Sequence, residues 1–204
     1  MTMSKGHLSV LIILLVLLAD QILKVWIKTH MMIGEEYHVA GNWFIIHFTE
    51  NNGMAFGLEF FGKAGKYMLS LFRVVAVVFI SYYLTKLSKK EIPLGYLIAV
   101  SLILAGATGN IFDSAFYGLI FDHSHYQVAQ FMPEVGGYSS FLQGKVVDMF
   151  YFPIIEGHWP AWSPFRPTEQ FIFFRPVFNI ADAAISVGMM LILFFYRKTL
   201  QKEL

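Results

Sequence analysis

Three carboxylates stand in stretches of this chain where a charge is costly. Asp113 closes "GATGNIFD", Asp148 lies inside "GKVVDMFYF", and Asp182 opens the apolar run "FNIADAAISVG". Asn110 precedes Asp113 by three residues, and Asn179 precedes Asp182 by three. Residues three apart share a helix face, so each Asn is placed to support its own Asp. Two carboxylates that meet in apolar surroundings cannot both ionise cheaply. One keeps its proton and the other serves as a base. Such a dyad can deprotonate a water for attack on an amide carbonyl while donating a proton to the carbonyl oxygen. It titrates as a pair. A proton or ion pathway uses the same residue types. Helix capping explains one Asn-x-x-Asp unit comfortably, but leaves Asp148 in its apolar strand without a reason.

Other polar residues invite a bland and a functional reading side by side. Asp20 and Lys24 lie at i, i+4 in an apolar run and can pair on one face, either as a clamp between helices or as part of a site. Arg73, inside another apolar run, has a stem long enough to carry its charge to the headgroups. "TENNGMAFG" has the Asn and Gly of a tight turn. "DHSHYQ" places His123 and His125 beside Asp122, but no third ligand at a telling spacing, so it reads as a solvated loop and no metal or other cofactor is expected.

The elements that must hold these residues follow from composition. The chain has 204 residues and is 56% hydrophobic but only 14% charged, too little polar surface to cover a soluble core. Lipid must cover part of it. The net charge of +1 offers no basic field for nucleic acid, and the absence of cysteine excludes disulfides and thiol chemistry. Four runs, residues 8–27, 67–87, 94–112 and 177–196, each approach the ~20 residues that cross a bilayer. The first lacks a small residue where a signal-peptide cleavage site would need one, since Leu17 stands there, and it reads as an uncleaved span.

Lys5, the lysines at 86, 89 and 90, and Arg197, Lys198 and Lys202 fall on one side of a four-span chain, which the positive-inside rule makes the cytoplasm. Residues 28–66 and 113–176 then lie outside. Within them 42–49, 145–152 and 171–178 are aromatic and β-branched and predict strands, whereas 122–143 and 156–170 predict loops. The expectation is a single membrane domain: an α-helical integral membrane protein with four transmembrane helices, a small outward-facing β-sheet and long outer loops. A transporter would favour broken helices and paired halves. Neither is visible, and the polar groups gather toward the outer side.

Five segments in order resemble the type II signal peptidase family of bacteria, which processes lipoproteins. They are "DQILK" (20–24), "NNGMAF" (51–56), "GATGNIFD" (106–113), "GKVVDMF" (144–150) and "FNIADAAISVG" (178–188). Each is weak alone; together they run through nearly the whole chain. The resemblance implies four helices with a β-cradle. It also implies an aspartic endopeptidase in the bacterial inner membrane that cuts diacylglyceryl-modified prolipoproteins just before the lipidated cysteine. Asp148 and Asp182 would be the dyad. Asn110, Asp113 and Asn179 would hold it, Asp20 and Lys24 would belong to the polar framework, and Asn51 and Gly53 would help seat substrate. Two departures stand out. Ser114 occupies a position where the family commonly has arginine, with Arg73, Arg166 and Arg175 as substitutes to consider. About 25 residues, 119–143, are inserted before the Asp148 segment, and they are expected to shape substrate access.

Overall fold

The computed structural model describes residues 3–52, 62–153, 155–158, 160–162, 168–173 and 176–203. Helix α1 (Lys5–His30) starts on Ser4, whose hydroxyl accepts the His7 N–H. It is followed by strands β1 (Glu36–Ala40) and β2 (Phe44–Asn51), then helix α2 (Gly62–Leu87). Helix α3 (Leu94–Phe112) continues through a π-helical turn (Asp113–Tyr117) into a single turn, α4 (Gly118–Ile120). Strands β3 (Val146–Tyr151), β4 (Ile155–His158), β5 (Gln170–Phe173) and β6 (Val177–Phe178) lead into α5 (Ile180–Phe195) and α6 (Arg197–Glu203).

Among the described residues, three helical runs are long and apolar enough to span a bilayer: Lys5–His30, Ala64–Leu87 and Leu94–Ile120. The bent pair α5–α6, turning by 90°, makes up to four. Leu14, Leu15, Leu18 and Ile22 of α1, and Met68, Phe72, Val78 and Phe79 of α2, are exposed, as side chains facing lipid should be. The fourth helix begins later than the sequence pattern predicts. Val177 and Phe178 pair with β3 as β6, and Asn179 takes the N-cap. The 16 residues of α5 rise about 24 Å.

α3 is the central helix and packs on α5, α1 and α2. Small residues let it meet α5 closely: a Cβ on Gly106 would fall 2.1 Å from the Ala181 carbonyl oxygen, and one on Gly188 2.6 Å from the Ala99 oxygen. One apolar cluster, with Leu87, Tyr96, Leu97, Val100 and Ile192, fills one end of the bundle. At that end Lys5 Nζ donates to the Lys90 carbonyl at 2.7 Å, and Lys90 pairs with Glu203. The N-terminus, the α2–α3 connection and the C-terminal helix therefore gather there. A second cluster, with Ile27, Phe48, Tyr117, Phe121, Val147 and Met149, lies under the sheet at the other end.

The sheet has four antiparallel strands in the order β1-β2-β3-β6. β4 and β5 form a separate pair. The predicted strand at 171–178 thus contributes to two sheets, its first residues to β5 and Val177–Phe178 to β6, while residues 174–175 lie outside the described residues. β1 and β4 are additional. β1 is largely exposed and β4, "IEGH", is short, so neither shows the alternation that marks a strand. Residues 122–143 are irregular, as predicted, but the insertion is not loose. Its Phe121, Ala129 and Tyr138 pack into the cluster under the sheet, and Ala129 N–H bonds the Lys28 carbonyl at 3.2 Å.

Candidate active site

β6 is what brings the separate motifs together. It pairs with β3 through Phe150–Phe178 and Tyr151–Val177 and then runs straight into α5. Asp148, two residues before Phe150, and Asp182, in the first turn of α5, therefore share one corner of the molecule. Asn179 links them. Its side-chain oxygen accepts the Asp182 backbone N–H at 2.8 Å, a true N-cap, while its amide donates to Asp148 Oδ1 at 2.7 Å. Asn51, at the end of β2, donates to the other Asp148 oxygen.

Asn110 does not support Asp113, as i, i+3 spacing suggests. Its amide crosses to Asp182 Oδ1 at 2.7 Å, and its oxygen accepts from Lys24 Nζ at 3.0 Å and from Asn179 at 3.2 Å. Each Asn therefore serves a carboxylate on another element. Spacing along one helix says which groups share a face, not what the face meets.

Behind this layer lies an ion cluster with no solvent contact. Lys24, fully buried, sits 2.8 Å from Asp20 and 2.7 Å from Asp113. Asp20 also accepts the Ala181 N–H at 2.9 Å, so a carboxylate from α1 meets the N-terminus of α5, where the helix dipole favours it. A Cβ on Gly109 would fall 2.9 Å from Asp20, which explains the glycine. The π-helical turn places Asp113 opposite Lys24, and such turns recur at functional sites. The pair at 20 and 24 is thus a clamp between helices, as one of its two readings expected, and it reaches Asp182 through Asn110.

The two candidate catalytic carboxylates differ in burial. Burial pushes the Asp148 carboxyl up to about 8, and the neighbouring charge of Asp182 adds to the rise. Lys24 and the Asn179 amide oppose it. Asp182 is only partly buried. A site with one carboxyl protonated at neutral pH beside a second, more accessible one can donate and accept a proton in the same step.

The family model described as signal peptidase (SPase) II matches residues 12–197. The chain belongs to that family. A lipoprotein signal peptidase of Porphyromonas gingivalis is 52% identical over 196 residues, 96% of this chain and 85% of that one. One from Amoebophilus asiaticus is 36% identical, over 94% of this chain and 78% of its own. A solved bacterial membrane enzyme is similar with a TM-score of 0.58 and 25% identity, over 94% of this chain and 88% of that one.

Within this signal peptidase II, Asp148, Asp182, Asn110, Asp113, Asn179, Asp20, Lys24 and Asn51 come together. Gly53 lies outside the described residues, as do Arg166 and Arg175. His123 and His125 are exposed, and among the described residues no group of three or more His, Asp or Glu is placed to hold a metal. Ser114 is buried and its hydroxyl donates to the Asn110 carbonyl at 3.1 Å. Arg73, half-buried on α2, lies close enough to interact electrostatically with Asp182, Asp113 and Asp148. Gln21 was missed. Its amide donates to Asp113 at 2.9 Å and Asp20 at 3.1 Å, and its oxygen accepts from Tyr117 at 3.1 Å. Its polarity beside Asp20 in an apolar helix was the available signal.

Proposed function

We propose that Asp148 and Asp182 are the catalytic dyad of this signal peptidase II. The enzyme is an aspartic peptidase that removes signal peptides from prolipoproteins. Its substrates are the diacylglyceryl-modified forms, cut just before the lipidated cysteine. The observation that carries the dyad is the shared Asn179, which caps Asp182 and donates to a buried Asp148.

In the resting site Asp148 holds the proton. Asp182, the more accessible carboxylate, takes a proton from a water as the oxygen attacks the scissile carbonyl. Asp148 gives its proton to the carbonyl oxygen as the tetrahedral intermediate forms. The proton on Asp182 then passes to the leaving nitrogen, the C–N bond breaks, and Asp148 recovers a proton from the collapsing hydroxyl. Asn110 and Asn179 keep the carboxyls in register, and Lys24 holds Asp20 and Asp113 behind them. Asn51, reaching Asp148 from β2, lies beside the cleaved bond and, with Gly53, seats the peptide.

The chain sits in the bacterial inner membrane with both termini cytoplasmic. The lysine-bearing end, where Lys5, Lys90 and Glu203 meet, is the cytoplasmic one. The sheet and the dyad are then near the outer face, at the depth where a lipid-anchored cysteine and water are both available. The membrane lipids provide the lateral path for the acyl chains.

The test is cleavage of a diacylglyceryl-modified prolipoprotein by Asp148→Asn and Asp182→Asn proteins. Each is expected to insert, fold and lose cleavage. Full activity in either variant removes that residue from the dyad.

A further inference from the structure

Outside the site described above, the described residues hold a second buried charged cluster. Lys28, one helical turn beyond Lys24 on α1, has no solvent-exposed surface. Its ammonium pairs with Glu50 Oε1 and lies 2.9 Å from Ser124 Oγ. Ser124, also fully buried, donates to the same Glu50 oxygen at 3.1 Å. Glu50 Oε2 is 3.5 Å from Lys145, whose backbone N–H bonds the Tyr138 hydroxyl at 2.6 Å. The Lys28 ammonium also lies over the Phe121 and Tyr138 rings, 5.3 and 5.1 Å from their centroids. Asp122 adds a further charge near it.

Ser124, Phe121 and Tyr138 all belong to the insertion, and Glu50 is the residue before Asn51. In the β2–β3 ladder Thr49 faces Asp148, Glu50 faces Val147 and Asn51 faces Val146. The register is irregular just upstream, between Ile46 and Thr49, so these last three pairs are set apart from the rest of the ladder. The Glu50 side chain adds an anchor outside the ladder. Two of its three partners, Ser124 and Lys145, flank or lie in the insertion, and the third is on α1.

We infer that Lys28, Glu50 and Ser124 form a positioning clamp through which the inserted segment holds the end of β2, so that Asn51 reaches Asp148. The inference rests on the dyad reading above. It gives the insertion a role in setting the site rather than in covering it.

Among the described residues, the charged groups acting on Asp148 are Asp182 on α5, Lys24 on α1, Asp113 in the π-helical turn and Arg73 on α2. None belongs to the clamp, so changing the clamp acts on Asp148 through Asn51. An amide that donates to a carboxylate favours its ionised form. Loosening Asn51 therefore raises the pH at which Asp148 gives up its proton.

The experiment uses the full-length enzyme in detergent or nanodiscs with a diacylglyceryl-modified prolipoprotein. Lys28→Met alone would leave Glu50 buried without its buried cation, so the variant is Lys28→Met with Glu50→Met, which leaves no fully buried orphan charge; Lys145, the other partner of Glu50, is partly exposed to solvent. Ser124→Ala is the milder, charge-neutral partner. For the double variant kcat is expected to fall roughly ten- to a hundredfold, with KM changed less, and the alkaline limb of the pH–rate profile to move to higher pH. Ser124→Ala should move both in the same sense by less. Wild-type kcat and an unshifted alkaline limb in a folded double variant would overturn the inference. If the double variant does not fold, an unshifted Ser124→Ala profile overturns it. Wild-type enzyme and Asp148→Asn run alongside: a failure of the dyad reading shows there, as activity retained by Asp148→Asn, and not in the clamp variants.

Discussion

Two buried polar clusters lie along α1, one helical turn apart, and they are built from similar groups. Around Lys24 stand Asp20, Asp113 and, through Asn110 and Asn179, Asp182 and Asp148. Around Glu50 stand Lys28, Lys145 and Ser124. The first has more acids than bases, the second more bases than acids. An excess of buried carboxylates must be relieved by keeping a proton, and a retained proton is a reagent. The Glu50 carboxylate lies between two ammonium groups, and both of its oxygens are taken. The same ion-pair chemistry thus yields a site in one place and a clamp in the other, and the balance of charge decides which.

Breaking the Lys24 cluster should have the largest effect. Lys24→Met would leave Asp20 and Asp113 buried without their cation, a loss of about 3–5 kcal/mol. Thermal unfolding in detergent should show a steep fall in midpoint, with cleavage lost as well. A midpoint within a degree or two of wild type would mean that the cation is dispensable there.

Proton retention at Asp148 is tested next by pH. Its carboxyl is raised from 3.8 to about 8 in the folded protein, so the folded state binds more protons than the unfolded one between those values. This contribution to stability is fully present below pH 3.8 and is lost as pH rises through 8. Asp148→Asn should flatten the pH dependence of the unfolding midpoint over that window. The wild-type pH–rate profile should fall on its alkaline side near pH 8, as the second proton leaves the dyad. Parallel stability curves for the two proteins would contradict the buried, protonated Asp148.

Helix contact comes third. Gly106→Ala would push a methyl into the Ala181 backbone and separate α3 from α5, which carry Asn110 and Asp182. Overpacking of this kind costs about 1–3 kcal/mol, and kcat should fall with it. An unchanged melting midpoint would show that the helices can slide apart freely.

The smallest expected stability change tests Asn179. Asn179→Ala removes the N-cap of α5, about 1 kcal/mol, and also the donor to Asp148. The alkaline limb should therefore move up while stability changes little. A shift downward would mean that Asn179 does not stabilise the ionised Asp148.

Much of the site was legible because polarity stands out against an apolar chain. Asp148, Asp182, Asn110, Asp113 and Asn179 were conspicuous for that reason, and so were Asp20 and Lys24. Lys28, Glu50 and Ser124 were not. Lys28 follows the first span, where a lysine is ordinary. Glu50 and Ser124 lie in turn-like and loop-like stretches, where polar residues carry no signal. The strands at 44–51 and 146–151 announced themselves through aromatic and β-branched residues. β6 did not stand apart, because two residues have no period, yet it delivers Asp182 to Asp148.

The sequence by itself determined the spans, the carboxylates and the family, because hydropathy and motif order are properties of residues in a row. Only the tertiary structure decided the pairings: Asn110 with Asp182 rather than Asp113, Asp20 with the N-terminus of α5, and Glu50 with Lys28 and Ser124. These contacts join groups up to 161 positions apart. They exist because the glycines at 106, 109 and 188 let helices approach and β6 ties a strand to a helix start. Such meetings are set by packing in three dimensions, which periodicity along the chain does not encode.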